Sequence, residues 1–166
     1  MSLLAPPLAF GDADRIAWLR LIRTENVGPA TFRQLLNCFG SAEAALDALP
    51  ALTQKAGKSS RITTPAQAED EIAGLSRYGA RLVASIEPDY PAHLHHIPAA
   101  PPVITLAGGS NLDWQRTVGI VGARNASSAG IKMTRLLATD LGERSYTVVS
   151  GLARGIDTAA HRASLT

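Results

Sequence analysis

The chain has 166 residues, of which 46% are hydrophobic and 18% charged, a balance that excludes a disordered or fibrous protein and allows one domain or two small ones. No stretch approaches the roughly 20 apolar residues of a membrane helix, Met1–Phe10 lacks the basic leader of a signal peptide, and a single cysteine, Cys38, cannot form an internal disulfide, so a reducing, cytoplasmic setting is expected. The net charge of +2 is unevenly spread: residues 117–166 hold six of the sixteen basic residues and three of the fourteen acidic ones, which gives that segment +3.

Asp12 or Asp14 is placed to cap a first helix in which Ile16, Leu19 and Ile22 recur at three-residue spacing, ending near Thr24. Asn26-Val27-Gly28-Pro29 reads as a turn, with Pro29 opening a second helix where its missing N–H costs nothing. Phe32, Leu35, Leu36 and Phe39 form its buried face, Cys38 is expected to pack among them, and Gly40 closes it. A third helix runs from Ser41 to about Leu49, where Pro50 is expected to stop it. Residues 51–64 read as a loop with room for a short helix. Pro65 begins a fourth helix with Ile72, Leu75 and Tyr78 on its apolar side, and Gly79 ends it.

The domain boundary is placed there, giving a helical domain over 1–79 and an α/β domain over 80–166. Residues 81–86 are β-rich and are expected to add a strand at the front of the α/β sheet. Five prolines between Pro88 and Pro102 enforce an extended or turning path, and Val103–Leu106 is a strand before a Gly108-Gly109 turn. His93, His95 and His96 lie close in sequence, but no cysteine or further histidine nearby completes a ligand set, so no metal is assigned.

The last fifty residues repeat one pattern. Val118–Val121 is a short apolar run that breaks at Gly122 and Arg124 into a helical segment over about 129–144, with Ile131, Leu136, Leu137 and Leu141 facing inward. Residues 146–150 form a second strand, with Tyr146 buried, and Gly151–Gly155 a second loop. Asp157 then caps the helix carrying His161, which shares its face and is expected to orient the loop. Strand, glycine loop and helix written twice is how parallel sheets place anion-binding crevices at the carboxyl ends of their strands. Glycine lets a phosphate approach the main chain, Asn125, Ser127 and Ser128 can cap the helix after the first loop, and Arg124 and Arg154 can each grip phosphate bidentately. Gly119, Gly122 and Gly130 do not fit the G-x-G-x-x-G spacing, so no dinucleotide cofactor is assigned.

These blocks carry a resemblance. Val118-Gly119-Ile120-Val121-Gly122-Ala123-Arg124 with Ser127 and Gly130, then Ser150-Gly151-Leu152-Ala153-Arg154-Gly155-Ile156-Asp157 and Ala160-His161-Arg162, resemble the DNA-processing protein A (DprA, also called Smf) family. Tyr90-Pro91, Leu94, Ile97 and Pro101-Pro102-Val103-Ile104 fit the connecting stretch. Ala123 departs from it, where many relatives have serine, and removes one hydroxyl. The resemblance implies an α/β fold: a small helical domain of the sterile-alpha-motif or helix-hairpin-helix kind, then a Rossmann-like parallel sheet that is incomplete here, as in a fragment of a longer product.

It also implies a function in natural transformation. The chain is expected to be no enzyme but a protein that binds single-stranded DNA, protects it and loads a RecA-type recombinase, as a homodimer when full length. Phosphate contacts are expected at Gly122, Ala123, Arg124, Ser127 and Ser128 on the first loop, and at Ser150, Gly151, Ala153, Arg154 and Gly155 on the second. Direct DNA contact by the helical domain is less favoured than a packing or recruiting role, because the charges around its hairpin (Arg23, Glu25, Arg33) are mixed. The rival class is a nucleotide-cleaving phosphoribohydrolase on a similar fold, with Asp157 as a base; its Pro-Gly-Gly-x-Gly-Thr block is absent from this sequence.

Overall fold

The structure, a computed structural model, describes residues 10–55, 57, 61–109 and 114–165. The chain divides into two compact units, Met1–Ser110 and Asn111–Thr166.

The first unit is built on four helices, α1 (Asp12–Arg23), α2 (Pro29–Phe39), α3 (Ala42–Lys55) and α4 (Pro65–Arg77). Gly11 precedes α1, and its N–H donates to Asp14 Oδ2 at 3.0 Å, so Asp14 reaches back from inside the first turn and neither aspartate is the capping residue itself. Asn26 takes φ +65° to turn the chain into α2, and Gly40 ends that helix at φ +80°. Thr64 caps α4: its hydroxyl accepts the Gln67 N–H at 3.2 Å while Gln67 Oε1 accepts the Thr64 N–H at 2.9 Å, a reciprocal box. Leu21, Val27, Phe32, Leu35, Ala42, Ala45, Leu46 and Leu49 form the core, and Trp18 meets the rings of Phe10 and Phe32 edge-on at 5.2 and 5.0 Å. A second cluster joins Leu19, Ala68 and Leu82.

Further expectations for these helices are corrected: Phe39, expected on the buried face of α2, is 36% exposed. The helix does not stop at Pro50: α3 continues to Lys55, and the Thr53 hydroxyl donates to the carbonyls of Leu49 and Pro50 at 3.0 Å each. Burial of Ala42, Ala45, Leu46 and Leu49 holds the preceding turns in place, which outweighs the hydrogen bond a proline removes. Cys38 is exposed because it lies about 100° around the helix from the Phe32–Leu35 side. Tyr78 is 90% exposed, one residue beyond α4 and off its apolar stripe.

Strand β1 (Ala80–Ala84) pairs antiparallel with β2 (Val103–Ala107), Ala80 opposite Ala107 and Ala84 opposite Val103. The expected addition of this segment to the α/β sheet is therefore corrected: among the described residues β1 bonds only to β2 and packs on α1 and α4, where Leu82, Val83 and Ala84 are buried. Tyr90 pins the proline-rich connection, its hydroxyl donating to the Pro101 carbonyl at 2.7 Å.

The second unit holds β3 (Thr117–Gly119), α5 (Ser128–Glu143), β4 (Thr147–Val149) and α6 (Ile156–Ser164). The two strands pair in parallel, Thr117 with Thr147 and Gly119 with Val149, and the Ile120 N–H extends the ladder to the Val149 carbonyl at 2.9 Å. The fold is thus α/β, a helical domain followed by a small, incomplete Rossmann-like sheet. Helix α5 buries Thr134 and Ala138, not Leu136 and Leu137, which are 61% and 52% exposed. The small residues let α5 approach α6 closely, and the leucines fall on other sides of the helix. Tyr146 is likewise 38% exposed, with the Arg116 guanidinium 4.8 Å above its ring.

Candidate functional site

The two loops that follow β3 and β4 meet at the start of α6. Gly155 takes φ +79° and ψ −120°, and a Cβ there would stand 2.3 Å from the Ala123 carbonyl oxygen and 2.5 Å from that of Arg124. Gly122 is constrained by a side chain instead, since its Cβ would lie 2.6 Å from Ile156 Cγ1. The Ile156 N–H donates to the Ala123 carbonyl at 3.2 Å, and the Ser150 hydroxyl donates to that of Ile120 at 2.7 Å. These bonds run from one loop to the other, so the loops form one object.

Asp157 is the centre of that object. It is buried, and one carboxylate oxygen, Oδ2, accepts the N–H groups of Gly151 at 3.0 Å and Ala153 at 3.4 Å. Burial works to raise its pKa, but the Ala153 and Gly151 N–H groups outweigh it, with the Ser150 hydroxyl and the Gly122 N–H adding to them; together they hold the carboxyl below its ordinary range. Asp157 is thus charged at neutral pH, and its hydrogen bonds to Gly151 and Ala153 fix the second loop to the start of α6. Its expected place as the helix cap is corrected: Gly155 is the capping residue, and Asp157 sits inside the first turn with its side chain turned back to the loop. Thr158 completes the arrangement, its hydroxyl donating to the Ala153 carbonyl at 2.7 Å.

The groups expected to hold phosphate fall into two sets. Gly122, Ala123, Ser150, Gly151, Ala153 and Gly155 are engaged in contacts between the loops or with the start of α6. Arg124 and Arg154 are exposed and make no hydrogen bond or ion pair among the described residues. Ser127 caps α5 by accepting the Gly130 N–H at 3.1 Å, which leaves its own O–H proton for an outside acceptor, and Ser128 is exposed at the first helical position. The end of α5 carrying Ser128 also has the partial positive charge of a helix N-terminus. His161 does not orient the loop: its side chain makes no hydrogen bond among the described residues, and its Nε2 is shielded from solvent.

The helical unit is poorer in available cations around its hairpin. Arg23 grips Glu71 at 2.8 and 3.1 Å, Arg20 donates to the Thr63 carbonyl at 3.0 Å, and Arg33 donates to the Pro98 carbonyl. His95 packs against the Tyr90 ring at 4.8 Å, and no described group of three or more His, Cys, Asp or Glu residues is arranged to hold a metal.

Two family models match the chain. One, described as a DprA-like N-terminal HHH domain, matches residues 12–74; the other, DNA recombination-mediator protein A, matches residues 81–166. The chain belongs to the DNA recombination-mediator protein A family. The second match takes in β1 and β2, which by packing lie in the first unit. Protein Smf of Synechocystis sp. is 30% identical over 171 residues, covering 93% of this chain and 42% of that relative. A putative DNA processing protein DprA of Mycobacterium tuberculosis is 32% identical over 172 residues, covering 93% and 43%. The X-ray structure of DNA processing protein A from Streptococcus pneumoniae superposes with a TM-score of 0.48 at 33% identity, over 61% of this chain and 38% of that one. The chain spans about two fifths of the length of the curated relatives it matches.

The Asp157 clamp and its partner Thr158 were not legible as such. The signal available in the sequence was an acid and a hydroxyl in the first turn of a helix that follows a glycine loop, which is also the signature of an ordinary cap.

Proposed function

We propose that this chain acts in DNA processing by binding the phosphate backbone of single-stranded DNA at the paired loops of its second unit. The observation that carries the reading is the pair of unpartnered arginines, Arg124 and Arg154, mounted on loops that the Ser150–Ile120 and Ile156–Ala123 bonds join to each other. An anchored loop presents its guanidinium at lower conformational cost than a free one, and arginine suits a phosphodiester because its planar fork donates two parallel bonds. Membership of a recombination-mediator family supports DNA as the polyanion. We also propose the loading of a RecA-type recombinase, a homodimer for the longer protein and a domain boundary near Gly79, the last supported by the spacing of the two family matches. The role is one of binding without catalysis: a carboxylate occupied by backbone N–H groups, as Asp157 is, makes a poor general base.

The test is fluorescence anisotropy of a labelled oligo-dT strand across a salt series with duplex competitor. Binding should be sequence-tolerant and weaken with salt, and Arg124→Ala should lower the slope of log K against log salt by about 0.7, one phosphate's worth on a single strand. Binding with no salt dependence, or unaltered by substitution of both Arg124 and Arg154, would remove the loops as the site.

A further inference from the structure

The crevice between the loops has little to offer an anion. The N–H groups of Gly151 and Ala153 are taken by the Asp157 carboxylate, and a phosphate entering there would meet a buried negative charge. A strand held by Arg124 must leave the loops some other way, and α5 supplies one. At about 100° per residue, Ser128, Lys132, Arg135 and Thr139 lie within about 60° of one another around α5. The centre of that flank lies about 110° around the helix from that of Thr134 and Ala138, which face the interior, and about 150° from that of the exposed apolar pair Met133 and Leu137.

Lys132 and Arg135 are exposed and make no hydrogen bond or ion pair among the described residues. Farther along the helix the pattern changes: Arg144 is paired with Asp140 at 3.1 Å. Between Ser128 and Thr139 there is no acidic residue at all, so nothing on this part of the helix neutralises the two cations. The helix itself does not call for them, since cations favour the last turn and acids the first. Ser128, Ile131, Lys132, Arg135 and Leu136 line a shallow concavity of about 430 Å³. Counted at 1.5 Å per residue, Lys132 and Arg135 stand about 6 and 10 Å along the axis from Ser128.

We propose that Lys132 and Arg135 of α5 continue the phosphate track that begins at Arg124, so that a DNA single strand runs along the basic flank of the helix instead of threading between the loops. The proposal rests on the single-stranded DNA reading above. The track widens the site beyond the loop motifs: its cations come from a helix whose sequence carries no glycine-loop signature, and they act as point charges on the backbone, indifferent to base identity.

The experiment uses the full 166-residue chain with Lys132→Ala and Arg135→Ala together. Alanine preserves helix propensity, and circular dichroism verifies that the helix content is kept. Two lost phosphate contacts should lower the salt slope for oligo-dT by about 1.4, so that from roughly 50 to 200 mM salt the unaltered chain loses about sevenfold more affinity than the double variant. Lys132→Arg with Arg135→Lys, which keeps both charges, should restore the slope. As a second readout on the unaltered chain, bound oligo-dT should slow acetylation of Lys132. If Arg124→Ala flattens the slope while the α5 double variant keeps it, the track along α5 is refuted and the loop site stands. If the unaltered chain shows no salt-dependent binding, the single-strand reading fails, and this extension fails with it.

Discussion

The contact between the two loops can be broken in two ways that the geometry predicts will behave differently. Gly155→Ala would force a side chain onto φ +79°, ψ −120° and push its Cβ to 2.3 Å from the Ala123 carbonyl oxygen and 2.5 Å from that of Arg124. The backbone conformation costs about 1–3 kcal/mol and the overlap about 1–3 more, a total of about 2–6 kcal/mol against the roughly 5–15 kcal/mol of a typical folded protein. Gly122→Ala instead meets only a side chain, with Ile156 Cγ1 at 2.6 Å and its Cβ at 2.9 Å, and should cost about 1–3 kcal/mol. Ile156→Ala removes Cγ1 and Cγ2 and leaves only the Cβ contact at 2.9 Å, so adding it to Gly122→Ala should recover part of the overlap cost, whereas adding it to Gly155→Ala should recover none. Amide exchange at Ile120, whose N–H donates to Val149, reads the second unit alone and supplies the stability for each arm of the cycle. Unchanged Ile120 protection in Gly155→Ala, or equal rescue of both glycine variants by Ile156→Ala, would refute the picture of two loops in backbone contact.

Asp157 gives the clamp a pH dependence of defined sign. Its folded pKa lies below the unfolded value, so its stabilising contribution is fully present above the ordinary carboxylate range, near 3.9, and is lost as pH falls through the lowered folded value. Amide protection of Gly151 and Ala153 should fall over that acid window, and Asp157→Asn should flatten the dependence while weakening protection at neutral pH. In the helical unit, Thr64→Ala removes half of the box at the front of α4 and should cost about 1 kcal/mol in urea denaturation.

The local units were readable because each is fixed by neighbours in sequence. Pro29 at a helix start, Gly40 at φ +80° and two apolar runs breaking into glycine and arginine are short-range signals, and the structure carries all of them. What was not readable depends on distant partners. Residues 80–84 are β-rich in any context, but their pairing with 103–107 is set by α1 and α4 packing beneath them. Leu136 and Leu137 fit an apolar stripe, yet the close approach of α6 selects the smaller Thr134 and Ala138 for the buried side. The loop glycines were legible as places where a backbone comes near; that the approaching group is the other loop and the carboxylate of Asp157 follows only from the folded arrangement.

Whether DNA is held on the outside of the joined loops, with the inner amides kept by Asp157, is read most directly by a ¹⁵N amide titration of the chain with oligo-dT. Shifts should cluster at Arg124, Ser127, Ser128 and Arg154 and continue to Lys132 and Arg135. The amides of Gly151 and Ala153 should stay nearly still, because they remain bonded to the carboxylate. Large shifts at Gly151 and Ala153 with none on α5, or shifts confined to the helices of the first unit, would contradict the account.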